Sequence, residues 1–225
     1  PPAGDGDIPD CLEWRADFRR DINDCTAIAA TCHAYGRSLD RQPLIFTCRT
    51  SGQGGEADLL PDEYVRLLEC VIDSGAPDIV DIELSIGDER VRSLAERAHL
   101  RDVRVIVSHH DFAATPSVER MVACLTHMAE LGADIPKLAV MAHDDDDATR
   151  LMDAAKVASG LVDAPMICLA MGEAGSLTRV LGETFGSSMS FCAFGEQSSA
   201  PGQVNLADAV KAMDEVHAQI ATAAR

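Results

Sequence analysis

The sequence predicts an α/β fold, a TIM (β/α)8-type barrel in which parallel strands alternate with helical crossovers. Three observations carry this prediction. Seven short apolar runs begin 23 to 35 residues apart, the spacing of repeated strand–helix units. No glycine fingerprint follows the first run, so the rival, an open doubly wound sheet, lacks its usual signal. Polar and charged residues recur in or just after nearly every run, and in a barrel those strand ends converge on one site.

The runs, in order, are Cys11–Asp17 (CLEWRAD), Pro43–Arg49 (PLIFTCR), Asp78–Leu84 (DIVDIEL), Val103–His110 (VRVIVSHH), Ile135–Met141 (IPKLAVM), Pro165–Met171 (PMICLAM) and Ser188–Phe194 (SMSFCAF). Each is short enough for a buried strand. Amphipathic segments lie between them. Asp62–Ser74 places Val65, Leu68 and Ile72 on one face. Ser117–Leu131 does the same with Val118, Met121, Val122, Leu125 and Met128, with Thr115 as cap, Pro116 in the first turn and Gly132 as terminator. The acidic run Asp144–Asp147 opens a further helix, where carboxylates favour the positive end of the helix dipole. A metal site is the sharper alternative there, and the solvated helix start is preferred. No Pro/Gly/Ser-rich linker divides the chain, so residues 1–225 read as a single domain.

The 225 residues carry 19 Lys+Arg against 37 Asp+Glu, a formal net charge of −18. Such a chain repels phosphate backbones and anionic membrane surfaces, which argues against nucleic-acid and membrane partners. Apolar residues at 47% and charged residues at 25% are ordinary globular composition rather than disorder. Eight cysteines occur with no CxxC spacing, and several lie inside apolar runs, so they read as reduced core residues. The apolar runs fall far short of the ~18 residues of a membrane span. The segment PPAGDGDIPD has neither a basic region nor an apolar core, so it does not read as a signal peptide, and the expected compartment is the cytoplasm.

Of three lysines, Lys156 and Lys211 sit on helical segments, whereas Lys137 opens the strand run KLAVM. Alternation puts Lys137, Ala139 and Met141 on one face. An amine on an inward strand face loses hydration, which favours its neutral, nucleophilic form, and such an amine forms a Schiff base with a ketone. A strand-end lysine paired with a carboxylate is the plainer reading of this residue alone. In SHHDF, Ser108 and His110 share a face, and a histidine at a strand end suits general acid/base work; His109 points the other way. Asp81 and Glu83 share a face of the preceding strand, where a carboxylate can orient a histidine. Glu13 and Arg15 share a face of the first strand, Arg49 ends the second, and Arg179 follows PMICLAM. Arginines gathered at one barrel mouth suggest capture of a carboxylate or phosphate, although singly each is more often a structural ion pair. TSGQGGE (Thr50–Glu56) lacks the GKS/T ending of a phosphate loop and reads as a mobile loop over the site. SSAPGQ (Ser198–Gln203) offers hydroxyl and amide groups to a polar substrate.

Together these segments resemble the type I 3-dehydroquinate dehydratases, from EWRAD to the C-terminal helix. The resemblance rests on EWR at Glu13–Arg15, FTxR with a following GGE at Phe46–Glu56, and the D-[aliphatic]-[acid]-[aliphatic] strand at Asp81–Leu84. It continues with S-x-H-D within Val105–Asp111, ADIPK at Ala133–Lys137 and SAPGQ at Ser199–Gln203. It implies conversion of 3-dehydroquinate to 3-dehydroshikimate and water, with no metal or organic cofactor. Lys137 would form the imine, His110 would act as general base and then acid, and Glu83 would orient His110. Arg179 would bind the substrate carboxylate, and Glu13, Arg15, Arg49, Ser199 and Gln203 would hold the ring substituents. A homodimer is implied as well. The family carries a further strand and helix before the EWR strand, so the expectation is an N-terminally incomplete barrel, short by one βα unit, roughly 30 residues. An acidic shell around a cationic pocket of Arg15, Arg49, Lys137 and Arg179 is the expected charge pattern. Two alternatives stand beside the dehydratase: another class I Schiff-base barrel enzyme, aldolase-like, and a non-catalytic metabolite-sensing module on the same fold. The HD motif and SAPGQ argue against the first, and the presence of both Lys137 and His110 argues against the second.

Overall fold

Six of the seven predicted runs form strands: β1 (Leu12–Arg15), β2 (Leu44–Thr47), β3 (Ile79–Glu83), β4 (Arg104–Asp111), β5 (Ile135–Met141) and β6 (Ile167–Met171). The structure, a computed structural model, describes residues 8–39, 42–193 and 203–223. It divides into two units, Pro9–His110 with His127–Pro136, and Asp111–Thr126 with Lys137 onward.

In the first unit β1, β2, β3 and β4 pair parallel in chain order, with Arg15 opposite Thr47, Thr47 opposite Asp81, and Glu83 opposite Ser108. Parallel neighbours need crossovers, supplied by α1 (Cys25–Ser38), α2 (Pro61–Ser74) and α3 (Asp88–His99). Asp24 caps α1 by accepting from the Ala27 N–H. Pro61 opens α2, and Gly75, at φ +62, closes it. The buried stripe of α2 is Tyr64, Leu67, Leu68, Val71 and Ile72. Val65, expected on that face, stands at its half-buried margin, because the stripe is centred nearer Leu68 and Val71. On the other side of the sheet from the polar strand residues, Trp14 packs against Tyr35 and Phe46 at ring separations of 5.1 and 5.6 Å. At the end of this unit the Asp134 N–H donates to the Val105 carbonyl, so the chain entering β5 lies beside β4.

In the second unit β5 and β6 pair parallel, with Lys137 opposite Ile167 and Met141 opposite Met171. Its helices are the body of α4 (Val118–Glu130), α5 (Asp145–Ala158), α6 (Ser176–Val180) and α7 (Leu206–Ala223). Met121, Val122 and Leu125 are buried as expected. Thr115 does not cap α4. Its hydroxyl donates to the Met141 carbonyl at 2.7 Å, and the helix begins beyond Pro116, with the Ser117 hydroxyl facing the Arg120 N–H. The acidic run behaves as a helix start: Asp144 accepts from the Asp147 N–H and Asp147 pairs with Arg150. The seventh run, Ser188–Phe194, is not a strand among the described residues; Phe194 lies outside them. The Ser188 N–H meets the Met166 carbonyl at 2.7 Å, and the Ser187 hydroxyl accepts from the Cys168 N–H. A serine side chain thus takes a ladder donor of β6, and the chain leaves the strand after one bridge. Among the described residues no helix is long and apolar enough to cross a membrane.

Candidate active site

Alternation along the four strands of the first unit brings one set of polar side chains together. Glu13 and Arg15, Thr47 and Arg49, Asp81 and Glu83, and Ser108 and His110 are each two residues apart, so each pair shares a strand face. Parallel pairing in register places them side by side near the strands' C-terminal ends.

Arg49 is the hub of that row. It is 4% exposed, and its guanidinium donates to Asp81 Oδ2 at 2.7 Å, Glu83 Oε1 at 3.2 Å and Ser108 Oγ at 2.8 Å. Ser108 Oγ in turn donates to Asp81 Oδ1 at 2.6 Å. Burial alone would favour loss of the arginine's proton, but the Asp81 and Glu83 charges outweigh it and push its pKa up. Glu83, fully buried, also accepts from the Thr50 N–H at 2.8 Å and the Thr50 hydroxyl at 2.7 Å. Glu13 accepts from the Thr47 hydroxyl at 2.8 Å. Arg15 forms a two-pronged pair with buried Asp17 at 2.7 and 2.6 Å, and lies 5.0 Å over the Phe18 ring. Burial raises the Asp17 carboxyl, but Arg15 and the backbone N–H groups of Glu56 and Arg49 outweigh it and hold the group below the ordinary Asp range.

Both arginines of this row are paired with carboxylates: Asp17 matches Arg15, and Asp81 and Glu83 share Arg49. The Arg49, Asp81 and Glu83 group carries a formal charge of −1.

The stretch Thr50–Glu56 is not the mobile loop expected from its glycines. It is a compact turn with a single helical turn at Ser51–Gln53, closed by the Thr50–Ala57 bridge. Glu83 holds its start, Asp17 holds the Glu56 N–H at 3.1 Å, and the Gln53 side-chain oxygen accepts from the His110 N–H at 2.8 Å. Gly55 packs against Arg49 so closely that a Cβ there would lie 2.1 Å from the Arg49 carbonyl oxygen. His109 and His110 are half-buried. Asp111, the last residue of the SHHD motif, accepts from the Ala113 and Ala114 N–H groups and shapes the turn after β4.

In the second unit Lys137 is 5% exposed on β5, and its ammonium lies 4.2 Å from the centre of the Phe191 ring. Arg179, 2% exposed, donates to the Phe191 carbonyl at 3.2 Å. Burial lowers its pKa. Phe191 therefore links the predicted nucleophile to the predicted carboxylate binder. Gln203 is half-buried, and Ser199 lies outside the described residues.

Sequence reading had marked Glu13, Arg15, Arg49, Asp81, Glu83, Ser108, His110, Lys137 and Arg179. It had passed over Thr47, Tyr64, Gln53 and Phe191. Thr47 was findable, since alternation pairs it with Arg49. Tyr64 carried a signal too, because a tyrosine on a buried helix face needs a partner for its hydroxyl; it accepts from the Glu83 N–H at 3.1 Å and approaches the Asp81 carbonyl at 3.4 Å. Among the described residues no group of three or more His, Cys, Asp or Glu side chains gathers to hold a metal ion.

The type I 3-dehydroquinase family model matches residues 7–220. A 3-dehydroquinate dehydratase of Bacillus licheniformis is 39% identical over 209 residues, covering 92% of this chain and 82% of that protein. The crystal structure of 3-dehydroquinate dehydratase from Geobacillus kaustophilus superposes with a TM-score of 0.89 at 37% identity, covering 93% of this chain and 81% of that one. A type I enzyme from Clostridium difficile, crystallised with covalently modified comenic acid, gives 0.88 at 34% identity over 93% of this chain and 82% of its own. A family match along almost the whole chain, on a parallel α/β frame with the polar strand ends just described, shows that this chain belongs to the type I 3-dehydroquinase family.

Proposed function

We propose that this protein is a hydro-lyase that converts 3-dehydroquinate to 3-dehydroshikimate and water through a lysine Schiff base. The observation that carries this reading is the near-full-length family match together with Lys137, a buried lysine on a strand. In the proposed cycle the Lys137 amine adds to the substrate ketone and water leaves, giving a protonated imine. His110 takes the proton from the carbon next to the imine, and the imine accepts the electron pair. The electrons return to expel the hydroxyl, to which His110 gives its proton, and hydrolysis of the imine frees the product and Lys137. The net change is loss of one water, with no redox step and no cofactor.

Arg179, Glu13, Arg15, Arg49, Ser199 and Gln203 are assigned to substrate binding. Glu83 is assigned to orienting His110, a role supported by its two bonds to Thr50 at the head of the turn that bears Gln53. Residues 1–225 are assigned to one barrel domain, because the family model runs through both units without a break. Cytoplasmic location and a homodimer complete the proposal.

The test is reductive trapping. Incubation with 3-dehydroquinate and borohydride, followed by mass spectrometry of peptides, is expected to place a ligand-sized adduct on Lys137, and Lys137→Ala is expected to lose both adduct and turnover. Dehydration by Lys137→Ala at near wild-type rate overturns the imine mechanism, and tight binding with neither adduct nor turnover in the wild type assigns the protein to the sensing alternative.

A further inference from the structure

We propose that Thr47 is a positioning residue that aims the Glu13 carboxylate at the substrate; this rests on the assignment of Glu13 to substrate binding. In the register of β1 and β2, Glu13 stands opposite Ile45, and Thr47 stands opposite Arg15. Thr47 is therefore level with the residue two places beyond Glu13 on the same strand face. Its hydroxyl nevertheless donates to Glu13 Oε1 at 2.8 Å. The bond runs diagonally across the two strands. It draws the carboxylate toward the strand ends that carry Arg49, Glu83 and His110.

The donor is well suited to this task. Thr47 is 0% exposed, so bulk water does not compete for its hydroxyl. It is β-branched and lies in a strand, which restricts its side-chain rotation and fixes the direction of the hydroxyl before substrate arrives. A bond from a neutral hydroxyl to a carboxylate is charge-assisted and leaves the charge on Glu13. There is a competing pull. Arg15 shares the face of Glu13 and feels its charge, although both oxygens of Asp17 already hold the guanidinium. Without the Thr47 hydroxyl that pull acts along β1 with no counterweight from β2. An ionised carboxylate accepts and does not donate, so a fixed Glu13 selects a substrate group that donates, which is a ring hydroxyl.

The experiment is a double-mutant cycle on the turnover of 3-dehydroquinate. Thr47→Val keeps the branched shape and removes the hydroxyl, whereas Thr47→Ser keeps the hydroxyl. Thr47→Val is measured both alone and together with Glu13→Ala. Alone it is expected to raise KM about tenfold, the scale of one hydrogen bond to a charged group, and to lower kcat less than about threefold. Borohydride trapping on Lys137 at saturating substrate should be retained. Thr47→Ser should keep KM within about threefold of wild type. In the Glu13→Ala background Thr47→Val should change KM less than about twofold, because no carboxylate is left to aim. A KM for Thr47→Val within about twofold of wild type overturns the inference. So does a Thr47→Ser protein as impaired as Thr47→Val, or an effect of Thr47→Val that persists undiminished beside Glu13→Ala. If Thr47→Val does not fold, Thr47→Ala replaces it in every comparison and the same outcomes decide. A wild type that neither forms the adduct nor turns over fails at the proposed reaction and takes the inference with it. A Glu13→Ala protein with unchanged KM fails at the assignment of Glu13 and does the same. A wild type that turns over while Thr47→Val is unimpaired overturns the inference alone.

Discussion

At Arg49 one guanidinium sits between two carboxylates, and burial makes each partner depend on the others. With Asp81 1% and Glu83 0% exposed, neither carboxylate has water to fall back on. Replacing Arg49 by Met leaves two uncompensated buried charges, and the loss expected is about 3–5 kcal/mol of stability. Arg49→Lys keeps the charge but not the fork, so it should lie between Met and wild type. Chemical denaturation of the three proteins checks the order; equal stability of Met and wild type would show that Asp81 and Glu83 find other partners. At His110 the expectation is kinetic. His110→Ala should still trap on Lys137 with borohydride, while elimination slows by about 10²–10⁴-fold. Both residues were legible in the sequence because a strand's period of two is local, and a pair two apart is read without knowing the neighbours. Gln53 and Tyr64 were not singled out, because their bonds reach 57 and 19 residues along the chain.

Among the elements, the turn after β2 departs furthest from its sequence reading. Glycines in TSGQGGE signal freedom in an isolated peptide, yet here one of them permits close packing. A Cβ on Gly55 would meet the Arg49 carbonyl oxygen at 2.1 Å, whereas a Cβ on Gly52 finds nothing nearer than Thr50 Oγ1 at 4.0 Å. Gly55→Ala should therefore open the turn, lower Tm and cut kcat, because the turn carries both the Thr50 anchor and Gln53. Gly52→Ala should leave both measurements near wild type. Equal behaviour of the two variants would show that the turn adapts. The strands themselves were read to within a residue or two wherever aliphatic residues filled both faces, as in β4 and β5. The run at Ser188 fails as a strand because the hydroxyl of Ser187, just before it, accepts the Cys168 N–H of β6, a competition that apolar pattern does not register. Packing also silences chemistry: burial pushes the Cys32 and Cys168 thiols up to about 12, so both should resist alkylation of the folded protein near pH 8.

The net charge of −18 acts on the molecule as a whole, and it makes stability depend on pH in two opposite ways. On mild acidification proton uptake brings the formal charge of −18 closer to zero. Self-repulsion falls as it does so. His99 faces Asp134, His127 faces Asp88 and His217 faces Glu183. Tm should therefore rise on mild acidification, and added salt should raise it more at pH 7 than at pH 5 by screening the same repulsion. Below about pH 4 the balance reverses. Asp17 and Asp134 are held below the ordinary Asp value of about 3.9 despite burial, Asp17 by Arg15 and backbone N–H groups, Asp134 by Arg104, His99 and the Val105 N–H. A carboxyl whose folded pKa is depressed contributes stability that is complete above its unfolded value and is lost as pH falls through its folded one. Thermal unfolding from pH 7 to 3 should thus show a maximum on mild acidification and a steep acid limb. Asp17→Asn removes the deepest of these carboxylates, so it should be less stable at neutral pH and flatten the acid limb. An unchanged limb in that variant would mean that acid unfolding begins elsewhere, and that Asp17 serves the turn without governing the fold's response to acid.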